Sequence, residues 1–209
     1  MMPQVIHADS RLVVFNKPTS LLSVPGIGPD KADCLVARAD TEFPGIRIVH
    51  RLDRDTSGLI VLARDAQAHR DLSIQFQERE VDKTYEALVL GVPDADEGHI
   101  DAAIRKDLDN PPRQCIDPVQ GRPSQTCWQV IGRDDDAGTA RLSLTPTTGR
   151  SHQLRLHLLH IGHPILGDDL YASPAGLALA DRLCLHATML GFRHPGTGEH
   201  LAFTCPAPF

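Results

Sequence analysis

The sequence predicts an α+β protein with one domain over residues 1–209, built on a central, mixed or largely antiparallel β-sheet with a few flanking helices. Its 209 residues are 41% hydrophobic and 23% charged, proportions that suit a folded globular chain. Segments of strand character outnumber segments of helical periodicity. The two types do not alternate regularly, as they would in a doubly wound fold.

The sequence pattern of residues 11–79 predicts three strands and two helices. In residues 66–79 apolar side chains recur every four positions, which indicates an amphipathic helix, and Asp65 is expected to cap it. The apolar stripe consists of Ala68, Leu72 and Phe76. A second helix is expected over residues 31–40, and short apolar runs predict strands over residues 11–16, 46–49 and 59–63.

Beyond residue 80 the pattern turns mainly to strands, with one further helix. Leu154 and Leu158 lie one turn apart on one face of it. Ser151 is the expected N-cap, and Gly162 the expected end. Strands are expected over residues 84–90, 100–105, 126–131, 140–144, 183–190 and 201–204.

Composition excludes several classes of protein. No apolar run approaches the ~20 residues of a membrane span, and the N-terminal residues lack the basic start and apolar centre of a signal peptide. The five cysteines are unevenly spaced and form no CxxC pair, so neither a disulfide framework nor a structural zinc site is expected. A cytoplasmic protein is therefore predicted. The net charge of −6 leaves two readings open, a basic groove on an acidic body or an ordinary mixed surface.

The first concentration of polar residues, residues 50–58, lies between two predicted strands. Asp53 stands between Arg51 and Arg54, whose charges favour an ionised carboxylate. Such a group suits a nucleophile or an electrostatic stabiliser. The alternative is that the acidic and hydroxyl side chains here only cap turns, and the residues alone leave both open.

A second concentration covers residues 147–155, where a predicted helix begins. Helix N-termini attract anions, so phosphate is a possible ligand, and Arg155 lies one turn inside the same helix end. The alternative is a capped helix with Arg150 on its surface. Four histidines follow at spacings that do not match a zinc-binding HExxH motif, and no metal site is expected. They are His152, His157, His160 and His163.

Together these segments resemble the RluA-type pseudouridine synthases. HRLDRDTSG at residues 50–58 is similar to the H-R-L-D-x-x-T-S-G signature of that family. The other matching segments are NKP at 16–18, KTYEALV at 83–89, TTGRSHQLRLH at 147–157, HPILGDDLY at 163–171 and LHA at 185–187. They run in the family's order, and the chain resembles the RluA branch that lacks an S4-type RNA-binding domain.

One departure follows the NKP segment. Thr19 and Ser20 stand where the family usually has a small residue and then glycine. Glycine adopts a positive φ at little cost and serine does not, so a turn of different shape is expected.

The resemblance implies the pseudouridine synthase fold, with a catalytic cleft, and the isomerisation of uridine within RNA. The N1–C1′ bond breaks and C5 joins C1′, without redox change or group transfer, so no cofactor or metal is required. Asp53 would be the catalytic aspartate, acting on C1′ or assisting loss of a ribose proton. Arg155 would pair with it, and Tyr85 would stack on the uracil and take the C5 proton.

The resemblance also implies contacts to RNA. Arg51 would occupy the space left by the flipped base, and Arg150 and Lys17 would contact phosphates. The expected target is a tRNA anticodon stem-loop, a 23S rRNA hairpin or both, and a monomer is expected.

Two other functions stay open at this point. One is a haloacid-dehalogenase-like phosphatase, with Asp53 and Asp55 as its D-x-D pair and Asp168 and Asp169 as magnesium ligands. Regular alternation of strands and helices, which such a fold needs, is absent from the sequence pattern. The other is a non-catalytic RNA-binding factor.

Overall fold

The computed structural model describes residues 1–209, with the exception of the side chain of Asp30. It confirms the α+β class with a mixed sheet and few helices. The strands are β1 (Gln4–Ala8), β2 (Leu12–Lys17), β3 (Arg47–Ile48), β4 (Ser57–Ala63), β5 (Asp82–Leu90), β6 (Glu97–Asp101), β7 (Ile104–Lys106), β8 (Gln114–Ile116), β9 (Gln125–Asp134), β10 (Thr139–Pro146), β11 (Leu185–Arg193) and β12 (His200–Thr204). The helices are α1 (Leu35–Asp40), α2 (Ala66–Glu78), α3 (Gln153–His160) and α4 (Pro174–Ala178), with a 3₁₀ turn at Pro29–Lys31.

The chain forms two compact units. Unit 1 comprises residues 1–83 and 186–208, and unit 2 comprises residues 84–185 and Phe209. That residues 1–209 act as one catalytic domain stays a prediction. No helix in the described part of the chain is long and apolar enough to cross a membrane.

Unit 1 is built on β4, which is buried along its whole length. It pairs antiparallel with β2 and β3, and parallel with β11. Helix α2 covers this sheet through Ala68 and Leu72, which are fully buried as predicted. Asp65 caps the helix, since its Oδ1 accepts hydrogen bonds from the N–H groups of Gln67 and Ala68 at 2.8 and 2.9 Å.

Unit 2 contains four antiparallel strands in the order β5-β10-β9-β6, and a separate β7–β8 hairpin. Leu154 and Leu158 of α3 pack into its apolar core, as their spacing predicts. The predicted strand over residues 100–105 is in fact two. After Ala102, whose N–H bonds the carbonyl of Ser124, the chain leaves β9 and begins the hairpin.

The predicted N-cap of α3 is wrong. His152, with φ 56°, occupies that position and makes no capping bond through its side chain. Gln153 organises this turn instead, because its Oε1 accepts hydrogen bonds from the Thr148 hydroxyl at 2.8 Å and the Arg150 N–H at 3.0 Å. Its amide nitrogen donates to the carbonyl of Gln125 at 2.9 Å. These bonds tie the start of α3 to β9.

Candidate active site

The loop that carries Asp53 connects β3 to β4 in unit 1, and hydrogen bonds fix it on both sides of that residue. The Ser23 hydroxyl donates to the carbonyl of Leu52 at 2.8 Å and accepts from its N–H at 3.1 Å. On the other side, the Thr19 hydroxyl donates to the carbonyl of Asp55 at 2.8 Å. The half-buried side chain of Asp53 therefore projects from a backbone that is held in place, as a reactive group requires.

Lys17 belongs to this scaffold, which corrects its predicted role. Its side chain has no exposed surface. The ammonium donates to the carbonyls of Pro18, Leu21 and Arg54 at 2.9, 2.7 and 2.9 Å. A buried ammonium with this set of acceptors is satisfied within the protein. Lys17 therefore fastens the turn after β2 to the loop after Asp53 and is not placed to contact a phosphate.

Ser20 shows how the departure from the family pattern is accommodated. It takes φ 59°, so the turn has a left-handed residue despite the side chain. We expect Ser20→Gly to raise the free energy of unfolding by about 0.5–1 kcal/mol, because the left-handed conformation costs a non-glycine residue about 1–2 kcal/mol and the entropy of glycine offsets part of that. Chemical denaturation tests this, with Ser20→Ala as the control that keeps the Cβ atom. A glycine variant no more stable than the wild type would contradict the strain at Ser20.

The end of the loop, T-S-G at residues 56–58, packs closely against β11. Gly58 has φ 110°, and a Cβ atom there would lie 2.4 Å from the carbonyl oxygen of Ala187. The Ser57 hydroxyl lies 2.7 Å from Nδ1 of His186, and both side chains are buried. Two segments matched in the sequence, T-S-G and L-H-A, therefore form one contact within unit 1.

Tyr85 lies in unit 2, on β5, opposite Leu144 of β10. Its ring is half-buried and packs against the apolar core of that unit. An aromatic ring held on a strand presents its remaining surface with little freedom to move, which suits stacking on a base.

Arg155, also in unit 2, is almost completely buried, with 2% of its side chain exposed. Asp168, itself 1% exposed, accepts from its Nε at 2.8 Å and from its Nη2 at 2.5 Å. Asp169 accepts a third hydrogen bond from Nη2 at 3.1 Å. The centroid of the Tyr171 ring lies 5.2 Å from the guanidinium carbon of Arg155. Asp168 thus fixes the Nε–Nη2 edge of Arg155 in a bidentate pair.

The sequence reasoning missed this role of Asp168. The signal was present, since Asp168 lies in the HPILGDDLY segment, but the acidic pair was weighed only as magnesium ligands. The carboxylate of Asp168 is used by Arg155 and by the N–H groups of Leu170 and Tyr171, at 3.0 Å each. Such hydrogen bonding occupies the oxygens that a metal ion would need.

The remaining predicted contact residues lie at the surface of their units. Arg51 is exposed in the Asp53 loop. Arg150 is half-buried before α3, and its Nε donates to the carbonyl of Pro123 at 3.3 Å. Asp53 and Arg51 thus belong to unit 1, and Tyr85, Arg150 and Arg155 to unit 2.

The comparison with known families identifies the class of protein. The sequence profile of the RNA pseudouridylate synthases matches residues 11–160, which include the Asp53 loop, Tyr85 and Arg155. The chain belongs to this family. It is an isomerase that converts uridine to pseudouridine in RNA.

The particular relatives are bacterial enzymes of matching length. The chain is 49% identical to the dual-specificity RNA pseudouridine synthase RluA of Yersinia pestis, over 98% of this chain and 99% of the relative. It is 48% identical to the protein of that name from Pasteurella multocida, over 98% and 93%. Among solved structures, human RNA pseudouridylate synthase domain containing 1 superposes with a TM-score of 0.82 at 30% identity, covering 99% of this chain and 84% of that one.

Family membership confirms the resemblance seen in the sequence. It leaves the phosphatase and the non-catalytic RNA-binding factor without support.

Proposed function

We propose that this chain isomerises uridines in two kinds of RNA, a tRNA anticodon stem-loop and a 23S rRNA hairpin, with Asp53 as the catalytic aspartate. The observation that carries the catalytic assignment is the loop that presents Asp53, tied down at Leu52, Arg54 and Asp55. A carboxylate held there meets the target ribose without rearrangement of the loop. A catalytic group that is already in position lowers the barrier to the reaction.

Tyr85 and Arg155 complete the proposed chemistry. We propose that Tyr85 stacks on the uracil, supports it while it turns, and accepts the C5 proton. We also propose, from the family resemblance, that Arg155 pairs with Asp53. Its bond to Asp168 supports this role, because a guanidinium fixed along one edge presents its other edge in a set direction.

Two RNA targets are proposed because the relatives are dual-specificity RNA pseudouridine synthases. The target base must leave its stack, at a cost of a few kcal/mol, and hairpin loops make this cheapest. Arg51, which is exposed directly before the anchored Leu52, would stack in the space that the flipped base leaves, and Arg150 would contact phosphate. A monomer acting in the cytoplasm stays part of the proposal.

Tyr85→Phe is expected to keep the fold and the affinity for RNA and to lose roughly 10²–10⁴-fold in turnover, the usual contribution of a positioned acid or base. The phenyl ring still stacks, but it accepts no proton. Single-turnover release of tritium from C5-labelled RNA measures the rate, and filter binding measures the affinity. Wild-type turnover in this variant would remove the proton-accepting role from Tyr85.

The target proposal is tested by mapping pseudouridine in total RNA from a strain that lacks this gene, beside its parent. We expect two sites to disappear, one in a tRNA anticodon arm and one in a 23S rRNA hairpin. Expression of the wild-type chain restores both, and expression of an Asp53→Asn chain restores neither. Loss of only one site would overturn the dual specificity, and an unchanged map would overturn both targets.

A further inference from the structure

The start of the Asp53 loop depends on an unusual hydrogen bond within unit 1. Strand β3 pairs with β4 only at Arg47↔Ala63 and Ile48↔Leu62, and then leaves the sheet. The next N–H along that edge belongs to Val61, which is completely buried. Val61 N–H donates instead to Nε2 of His50, at 3.2 Å. The imidazole thus replaces the backbone acceptor that β3 no longer supplies.

The bond from Val61 to His50 stabilises the fold because its N–H donor is completely buried. A buried backbone N–H without an acceptor costs about 1–3 kcal/mol, so the sheet edge holds His50 firmly in place. The ring of His50 also stacks on Phe76 of α2, with centroids 4.3 Å apart and planes 20° apart. One face and one nitrogen of the imidazole are therefore fixed, and the backbone of residue 50 follows them.

His50 is three residues before Asp53, a distance of at most about 10 Å along an extended chain. The carbonyl and N–H of Leu52 are already held by Ser23. We propose that His50 is a positioning residue for Asp53, acting as a neutral hydrogen-bond acceptor that sets where the catalytic loop leaves β3. This inference rests on the proposed function, since it concerns the placement of the proposed catalytic carboxylate.

An accepting Nε2 requires the proton of the ring to be on Nδ1. The surroundings favour this neutral form, because burial, together with the positive charge of Lys83, lowers the pKa of His50 to about 3. The neighbouring His69 provides a natural contrast. Its Nε2 lies 3.0 Å from the carbonyl of Ile48, so that nitrogen donates and carries the proton. His50 after β3 thus uses Nε2 as an acceptor, whereas His69 of α2, which contacts the end of β3, uses Nε2 as a donor.

Two substitutions separate an accepting role from a merely structural one. In His50→Gln the amide oxygen lies where Nε2 was, and in His50→Asn it lies where Nδ1 was, too far back to reach Val61. We expect His50→Gln to keep kcat within about threefold and His50→Asn to lose about 10–100-fold, the usual effect of a misplaced catalytic group. His69→Asn is the matched control, because it removes a bond to the same strand end, and we expect it to keep kcat near the wild-type value.

The tautomers themselves are measured by ¹⁵N NMR of the wild-type protein labelled in histidine. We expect a non-protonated Nε2 for His50 and a protonated Nε2 for His69. A protonated Nε2 on His50 overturns the proposal, and so does equal turnover of His50→Gln, His50→Asn and His69→Asn. If Asp53→Asn keeps its activity, the proposed function fails whatever His50 does. If Asp53→Asn is inactive while His50→Asn turns over normally, only the role of His50 fails.

Discussion

Asp53→Asn is expected to abolish isomerisation while leaving the binding of RNA largely intact. The asparagine has nearly the same shape but no negative charge, so it neither attacks C1′ nor assists loss of a ribose proton. Loss of a nucleophile that cannot be replaced lowers turnover by roughly four to six orders of magnitude. Tritium release from C5-labelled RNA under single-turnover conditions measures this effect, and a binding assay on the same RNA separates it from affinity.

Asp55→Asn provides the matched control for this prediction. Asp55 lies two residues away in the same loop, and its carboxylate is paired with Arg54 at 3.0 Å. A partly exposed pair of this kind contributes at most about 1 kcal/mol, so we expect turnover within about tenfold of the wild type. Activity retained in Asp53→Asn, or lost equally in both variants, would show that the chemistry does not depend on the carboxylate at position 53.

Asp168→Asn is expected to lower the free energy of unfolding by about 3–5 kcal/mol, the usual cost of breaking a buried ion pair from one side. Arg155 would stay buried with its charge no longer balanced by Asp168. The new amide group would also direct N–H donors toward a guanidinium that has only donors. Urea denaturation followed by circular dichroism measures this loss.

The neighbouring Asp169→Asn tests whether burial is the cause. Asp169 bonds the same Nη2 atom of Arg155, but its side chain is 50% exposed, so we expect its substitution to cost less than about 1 kcal/mol. The prediction is that Asp168→Asn lowers the free energy of unfolding much more than Asp169→Asn does. Equal and small losses would mean that the buried pair does not stabilise the fold, and that Arg155 is held in some other way.

Local patterns in the sequence predicted the helices of the core correctly. Ala68 and Leu72 in α2, and Leu154 and Leu158 in α3, are buried as their spacing indicates, because the periodicity of a helix is set within a few residues. Ser151 was a reasonable N-cap on the same local grounds. It does not cap α3, because Gln153 makes bonds to β9 that no local pattern contains.

The charged residues show the limit of local reasoning most clearly. In the sequence, Lys17 follows a predicted strand and precedes a proline, a setting typical of an exposed turn. In the structure, its ammonium lies among three carbonyls. One of these belongs to Arg54, 37 positions along the chain. Asp168 lies in an acidic segment that the sequence does not distinguish from a metal site. Its pairing with Arg155 exists only because α3 brings that guanidinium to it.

The amino-acid sequence by itself predicted the α+β class, the loop of residues 50–58 as the candidate site of the chemistry, and the family to which the chain belongs. These predictions depend only on residue types and on their spacing along the chain, both of which can be read from the sequence. The tertiary structure alone decided which charges are buried and satisfied within the protein and which remain at its surface. Burial and hydrogen bonding join groups far apart in the chain, and the cost of leaving a buried charge or N–H unpaired selects their partners.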